Sequence, residues 1–309
     1  AAAATGGEGG GGGSPPQLRV FFHGGCAAGP PTVHTLALLA ACYDAIAATA
    51  PTLDLIPLLQ SVGWDPAAVA RIPGITSVFI ATKYGTHESQ QHTPAEEAVI
   101  AALSEAMPGP HGFSTLQVLE VEAEVEEAEA TPADDASEAG SDGTLTAFRF
   151  KHVSVGGTFD RMHAGHRLLL AAASVVTAAS EASGSEEGEE RGGGAGGGGA
   201  GLEEEEGKGG AGGSQPTIYV GITGDALLVT KKHRELIQPY ETRAAAAESF
   251  LRATRPSTIS INVGPLDSSP PLAATMEVME ALVISRETVE GGDAINAIRA
   301  TKGFAPIAL

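Results

Sequence analysis

The chain has 309 residues, of which 41 are glycine and only 5% aromatic, and it carries a net charge of −20. So many backbone breakers and so few large apolar anchors exclude a single uniformly packed body, and imply folded units separated by solvated segments. No apolar run reaches the roughly 18–20 residues of a membrane span, the first residues lack the pattern of a leader peptide, and Cys26 and Cys42 have no metal-ligand spacing around them. A cytoplasmic protein with reduced thiols, and with neither a membrane nor a nucleic acid as partner, is expected.

Residues 1–16 read as a disordered Gly-rich lead-in. Leu18, Val20, Phe21 and Phe22 then form an apolar run that predicts a buried strand. Over 33–47, Leu36, Leu39, Ala40, Tyr43 and Ala47 recur at helical spacing. A strand over 77–81, a helix over 94–106 with Pro94 in its first turn, and a strand over 115–121 complete a smaller N-terminal α/β region, 17–121, of unassigned role. His23, Gly24, Gly25 and Cys26 follow its first strand and could cradle an anion on free backbone N–H groups. Without a spaced fingerprint they read as an ordinary turn, and His87 and His92 as loop residues.

Acidic residues crowd into 122–146, a linker, and into a Gly/Glu-rich insert at 181–214 that reads as disordered. The remainder of the C-terminal region, 147–309, is close to electroneutral, so a polyanionic ligand meets no global repulsion there. Strands are expected over 148–155, 217–222, 259–263, 281–284 and 306–309, and helices over 163–179, 241–253, 275–280 and 293–301. Strictly alternating strands and helices give an α/β fold with a doubly wound parallel sheet.

The first strand of that sheet runs into Gly156, Gly157, Thr158, Phe159, Asp160, Arg161, Met162, His163, Ala164, Gly165, His166. Paired glycines let the backbone turn tightly and approach a ligand, and the helix that follows turns its free N–H groups and positive dipole end toward an anion. His163 and His166, three apart, share a face. This stretch resembles the signature of the HxGH-type nucleotidyltransferases, which implies a Rossmann-like nucleotidyltransferase fold and assigns the two histidines to the phosphates of a nucleoside triphosphate.

Two further stretches narrow the resemblance. Thr230-Lys231-Lys232, followed by Ile237-Gln238-Pro239-Tyr240-Glu241-Thr242-Arg243, and Leu282 to Thr288 with Gly291, Gly292, Ile295, Asn296 and Arg299, resemble phosphopantetheine adenylyltransferases of the eukaryotic and archaeal type. The resemblance implies coenzyme A biosynthesis, with ATP and 4′-phosphopantetheine joined to give dephospho-coenzyme A and pyrophosphate. It implies catalytic roles for His166, Lys231 and Thr158, with Thr158 and Lys231 also binding the acceptor. Nucleotide binding falls to Gly156, Gly157, His163, His166, Arg243, Ser285, Glu287, Thr288 and Arg299, and Mg²⁺ is expected to arrive with ATP. Arg286 stands where the family has an acidic residue, and Asp267-Ser268-Ser269-Pro270-Pro271 replaces its Asp-Pro-Tyr-Gly-Pro turn. Another phosphorylated acceptor, or a non-catalytic nucleotide-binding or scaffold role, remains as an alternative. The Gly-Lys-Ser/Thr loop of a kinase, which a bifunctional enzyme would need, is absent from the sequence.

Overall fold

The computed structural model describes residues 2–4, 17–22, 27–73, 77–83, 97–98, 101–102, 105, 115–121, 147–178, 215–229, 231–256, 259–267 and 270–309. The turn at 23–26, His87, His92, most of the helix expected over 94–106, the linker and the insert lie outside them.

Five strands form the first sheet: β1 Ala2–Ala4, β2 Gln17–Phe22, β3 Asp54–Leu59, β4 Ser77–Lys83 and β5 Thr115–Val121. Their order is β3-β2-β1-β4-β5. The outer pairs are parallel, and β1 runs antiparallel between β2 and β4. β1 thus lies within the lead-in expected to lack structure, where its backbone satisfies the facing ladders of two strand pairs. No element is expected from sequence over β3, which contains Pro57. β3 is an edge strand, where a missing N–H is tolerated. Helix α1, Val33–Thr49, starts at a reciprocal cap between Thr32 and Thr35 and buries Leu39 and Tyr43. The Tyr43 hydroxyl donates to the carbonyl of Leu55 at 3.1 Å, fixing α1 on β3. A short helix, α2 Pro66–Ala70, follows, its first turn capped by the Asp65 carboxylate.

The second sheet contains β6 His152–Gly157, β7 Thr217–Thr223, β8 Ser260–Leu266 and β9 Ala281–Val283, all parallel, in the order β8-β7-β6-β9. Val153, Val155, Ile218, Val220 and Ile222 are buried on one face, under α3 Ala164–Val176 and α5 Tyr240–Thr254. The other face carries α6 Leu272–Thr275 and α7 Val289–Thr301, and α4 Asp225–Leu228 follows β7. The α/β, Rossmann-like reading therefore holds. Several boundaries differ. β6 starts at His152 rather than at 148, with Phe150 making only an isolated bridge to Thr177, and α3 ends at Val176 rather than at 179. The helix expected over 275–280 forms earlier, as α6, because Pro271 fixes its start and Met276 is already extended. α7 begins four residues before its expected start, after a 3-10 turn at Arg286–Thr288. The last expected strand makes one bridge, Ala308 to Ala281.

Helices α3 and α5 lie between the two sheets, and β3 packs on both. Phe21, Leu55 and Leu58 share one buried cluster with Val153, Leu170 and Ala247. Trp64 Nε1 donates to the carbonyl of Thr254 at 2.8 Å, and Arg255 beside it donates to the carbonyls of Ser174, Thr177 and Ala178. A buried guanidinium there satisfies the orphan acceptors at the C-terminus of α3 and complements its dipole. Burial lowers the Arg255 pKa to about 10, which leaves it cationic at neutral pH.

Candidate functional site

Chain direction across the second sheet reverses at β6: the chain steps from β6 to β7 and β8 on one side and returns to β9 on the other. Ligands of open α/β sheets bind outside the carboxyl ends of the strands at such a switch point. β6 ends there with Gly156 and Gly157, and the turn that follows bends sharply. Phe159 and Arg161 have left-handed φ values of 51° and 41°, an uncommon conformation for side chains of their size. Phe159 is fully buried, and a Cβ on Gly157 would sit 3.1 Å from its ring. Glycine at 157 is what lets the phenylalanine anchor the turn.

His163 caps α3, and His166 lies in its first turn. Their rings stack with centroids 3.9 Å apart, and Phe159 backs His166 at 5.3 Å. A Cβ on Gly165 would press on the His163 ring at 3.2 Å. His166 Nδ1 is buried with no hydrogen-bond partner. Burial, then the neighbouring His163, push the His166 pKa down to about 4; Arg167 and Lys231 add to the fall and Asp160 opposes it. At neutral pH the ring is uncharged.

Beside the histidines, Lys231 Nζ donates to Thr158 Oγ1 at 2.9 Å. The turn is clipped to the start of α5 by two reciprocal bonds. The Gln238 N–H donates to Asp160 Oδ1 and the Arg161 N–H to Gln238 Oε1, each at 2.8 Å. Neither contact has a sequence signal, because the partners lie 78 and 77 positions apart with no periodicity to link them.

Arg243, expected on the nucleotide, is 1% exposed. Its Nε donates to the carbonyl of Gln238, and Nη1 donates to those of Thr158 and Thr223, at 2.8–2.9 Å. It therefore ties together the ends of β6 and β7 and the start of α5, with Nη2 alone lacking a partner. Arg299, also expected there, is equally buried. Its Nε, Nη1 and Nη2 donate to the carbonyls of Ala305, Ala273, Met276, Glu277 and Met279. The five N–H groups of a guanidinium are thereby engaged, and none is left for phosphate. Arg299 lies near the end of α7, with its guanidinium on the carbonyls of α6 and the segment after it, Ala273 to Met279.

Ser285 and Glu287 follow β9 and line one cleft of about 800 Å³ with His163, Gly165 and His166. Thr288 turns its hydroxyl back, donating to the Ser285 carbonyl at 3.0 Å and accepting from the Ser285 N–H at 3.1 Å. It lines a second cavity, of about 500 Å³, on the face of α6 and α7. There Gly156, Gly221 and Gly264 lie in register across β6, β7 and β8. Among the described residues no group of three or more His, Cys, Asp and Glu could hold a metal ion. What converges on the switch point is a set of donors: imidazoles, the first N–H groups of α3, an ammonium and a hydroxyl. Such a set suits phosphoryl oxygens.

No protein-family model matches the chain. It is similar to proteins named phosphopantetheine adenylyltransferase. The relative from Saccharomyces cerevisiae is 31% identical over 169 residues, 54% of this chain and 43% of that one. The relative from Methanothermobacter thermautotrophicus is 31% identical over 156 residues, covering 50% of this chain and 69% of its own. That from Thermococcus kodakarensis is 27% identical over 159 residues, 52% and 72%. The chain thus spans less than half the length of the yeast relative and about seven-tenths of the archaeal ones. No helix of the described residues is long and apolar enough to cross a membrane.

Proposed function

The chain belongs to the phosphopantetheine adenylyltransferase family, and from that premise we propose that it transfers the adenylyl group of ATP to 4′-phosphopantetheine. A 4′-phosphate oxygen attacks the α-phosphorus in line. The new P–O–P bond gives dephospho-coenzyme A, and the bond to the β-phosphate breaks to release pyrophosphate. We assign the chemistry to residues 147–309, with 17–121 as a supporting unit, in a cytoplasmic setting that suits the free thiol of Cys42.

The observation that carries this reading is the juxtaposition of the stacked His163–His166 pair with the Lys231–Thr158 contact at the switch point. Transfer of this kind needs little covalent participation from protein; it needs two polyanions held together and the developing charge stabilised. His166, with His163, donates to the triphosphate, aided by the N–H groups of α3. Gly156 and Gly157 let the backbone approach it, and Ser285 and Glu287 bound its cleft. Lys231 bridges the acceptor and the α-phosphate, while Thr158 orients the attacking phosphate. Mg²⁺ would be carried by the phosphates of ATP rather than by a protein cage, in keeping with the donor set around His166, and its chemistry is to neutralise charge on the leaving pyrophosphate.

Pyrophosphate release from ATP with and without 4′-phosphopantetheine tests the reading. Release that depends on the acceptor supports it. Equal release with unphosphorylated pantetheine, which lacks the nucleophile, overturns it.

A further inference from the structure

Arg167 follows His166 directly, and its own N–H donates to the carbonyl of His163 at 3.0 Å. Its side chain faces away from the cleft. Nη2 donates to Asp54 Oδ1, at the start of β3, and lies 3.5 Å from the carbonyl of Met162. The guanidinium stands over the Phe250 ring of α5 at 5.5 Å. One cation therefore touches the N-terminal sheet, the turn before α3, and α5.

The anchor at the other end is firm. Asp54 is paired in register with Gln17 on β2, and the next residue, Leu55, is buried and held by the Tyr43 hydroxyl. Both side chains of the ion pair are shielded, with exposures of 12% for Arg167 and 17% for Asp54. Around the pair the two units do not close. A cavity of about 320 Å³ is lined there by Tyr43, Asp54, Met162, His163, Gly165 and Arg167. Where side chains interlock, packing density alone fixes a helix; beside a void, a directional contact must do so. The first turn of α3, which carries both histidines, borders that void.

We infer that Asp54 is a positioning residue of the N-terminal unit, which clamps Arg167 and so sets the rotation of the α3 start that aims His163 and His166 at the triphosphate. A charged hydrogen bond of this kind is short and directional. Its loss both frees the helix start to move into the cavity and leaves an unpaired cation one residue from His166. The N-terminal sheet thereby acquires a function without contributing an atom to the cleft. The inference rests on the proposed triphosphate role of the histidines, and the test separates the two.

Asp54→Asn keeps the side-chain shape and removes the charge. In the full chain, it should weaken Mg·ATP binding about tenfold by calorimetry, since small misplacements of binding groups cost one to two orders of magnitude. It should also shift the imidazole resonances of His163 and His166 in ¹⁵N–¹H spectra, and Asp54→Glu should restore part of both. Should the Asn variant fail to fold, Arg167→Lys takes its place, keeping the cation but losing the fork that spans Asp54 and Met162, with the same two changes expected. Parental resonances, or shifted resonances with parental ATP affinity, overturn the positioning role. Weakened affinity with unmoved resonances also overturns it, because Asp54 would then act elsewhere. A parent chain that binds no ATP sinks the functional reading instead, while the resonances still decide whether Asp54 governs the rings.

Discussion

Lys231 reaches across 73 positions of sequence to place its ammonium 2.9 Å from the hydroxyl of Thr158. The hydroxyl belongs to the turn whose backbone Arg243 and Gln238 hold, so the ammonium is referenced to a well-anchored turn. In the proposed reaction Lys231 serves the acceptor and the α-phosphate, while the histidines and the α3 N–H groups hold the triphosphate. Lys231→Ala is expected to cut turnover with 4′-phosphopantetheine at least a hundredfold, the scale of losing one preorganised donor. ATP affinity by calorimetry should change less than about threefold, because the histidines and helix start remain. Faster pyrophosphate release with nicotinamide mononucleotide than with 4′-phosphopantetheine would show that the acceptor is another one.

His166 makes the protein sensitive to acid in a definite window. Its folded pKa of about 4 lies below the ordinary 6.5, chiefly because the ring is buried. Between those values the unfolded chain takes up a proton that the folded chain does not. The stability that the neutral ring contributes is therefore complete above pH 6.5 and is lost as the pH falls toward 4. His166→Gln should flatten the fall of the urea midpoint across that window. Bound triphosphate must raise the same pKa, so ATP binding at pH 5.5 should draw in protons, seen as a binding heat that varies with the ionisation heat of the buffer. A buffer-independent heat in the parent would detach His166 from the triphosphate.

The turn with its two histidines was legible because a strand end, two glycines and HxGH occupy consecutive positions, and local geometry follows from local sequence. Lys231 and Thr158 could be named but not joined, since nothing along the chain reports a contact over that distance. The roles of the arginines are hard to read for a physical reason: a guanidinium beside a phosphate and one that gathers backbone carbonyls leave the same letter in the sequence, and both Arg243 and Arg299 gather carbonyls in the structure. Asp54 was invisible for a related reason. It opens a strand for which the sequence carries no expectation, and its partner Arg167 lies 113 positions away.

Arg299 tests that distinction. Replacing it with Met keeps the volume but takes the guanidinium donors from five carbonyls, of which the Met276 carbonyl keeps the Met279 N–H at 3.3 Å. Unsatisfied buried acceptors cost on the order of 1–3 kcal/mol each when they find no water. A fall in Tm of roughly 10 °C is expected, given about 2–4 °C per kcal/mol for folded units of this size. ATP affinity of the folded fraction should stay at the parental value. Weaker ATP binding at unchanged Tm would return Arg299 to the nucleotide.

Deleting residues 181–213, with Ser180 joined to Ser214 through a short linker, should leave both folding and turnover near parental. The described residues on either side of the insert come together at the start of β6, where Ala178 donates to the carbonyl of Phe150 at 2.8 Å and Thr217 to that of Lys151 at 2.7 Å. A short connection can therefore span them without strain. That meeting point is at the amino end of the parallel strands, and His163, His166, Thr158 and Lys231 gather at the carboxyl end. Closing a loop of several tens of residues costs only about 0.6 kcal/mol more for each doubling of its length, so the shorter connection should be neutral or slightly stabilising. Turnover within about twofold of the parent, with Tm equal or higher, is the expected result. A loss of acceptor-dependent pyrophosphate release in a variant that melts normally would mean that the acidic insert reaches the cleft from the far end of the sheet and takes part in the reaction.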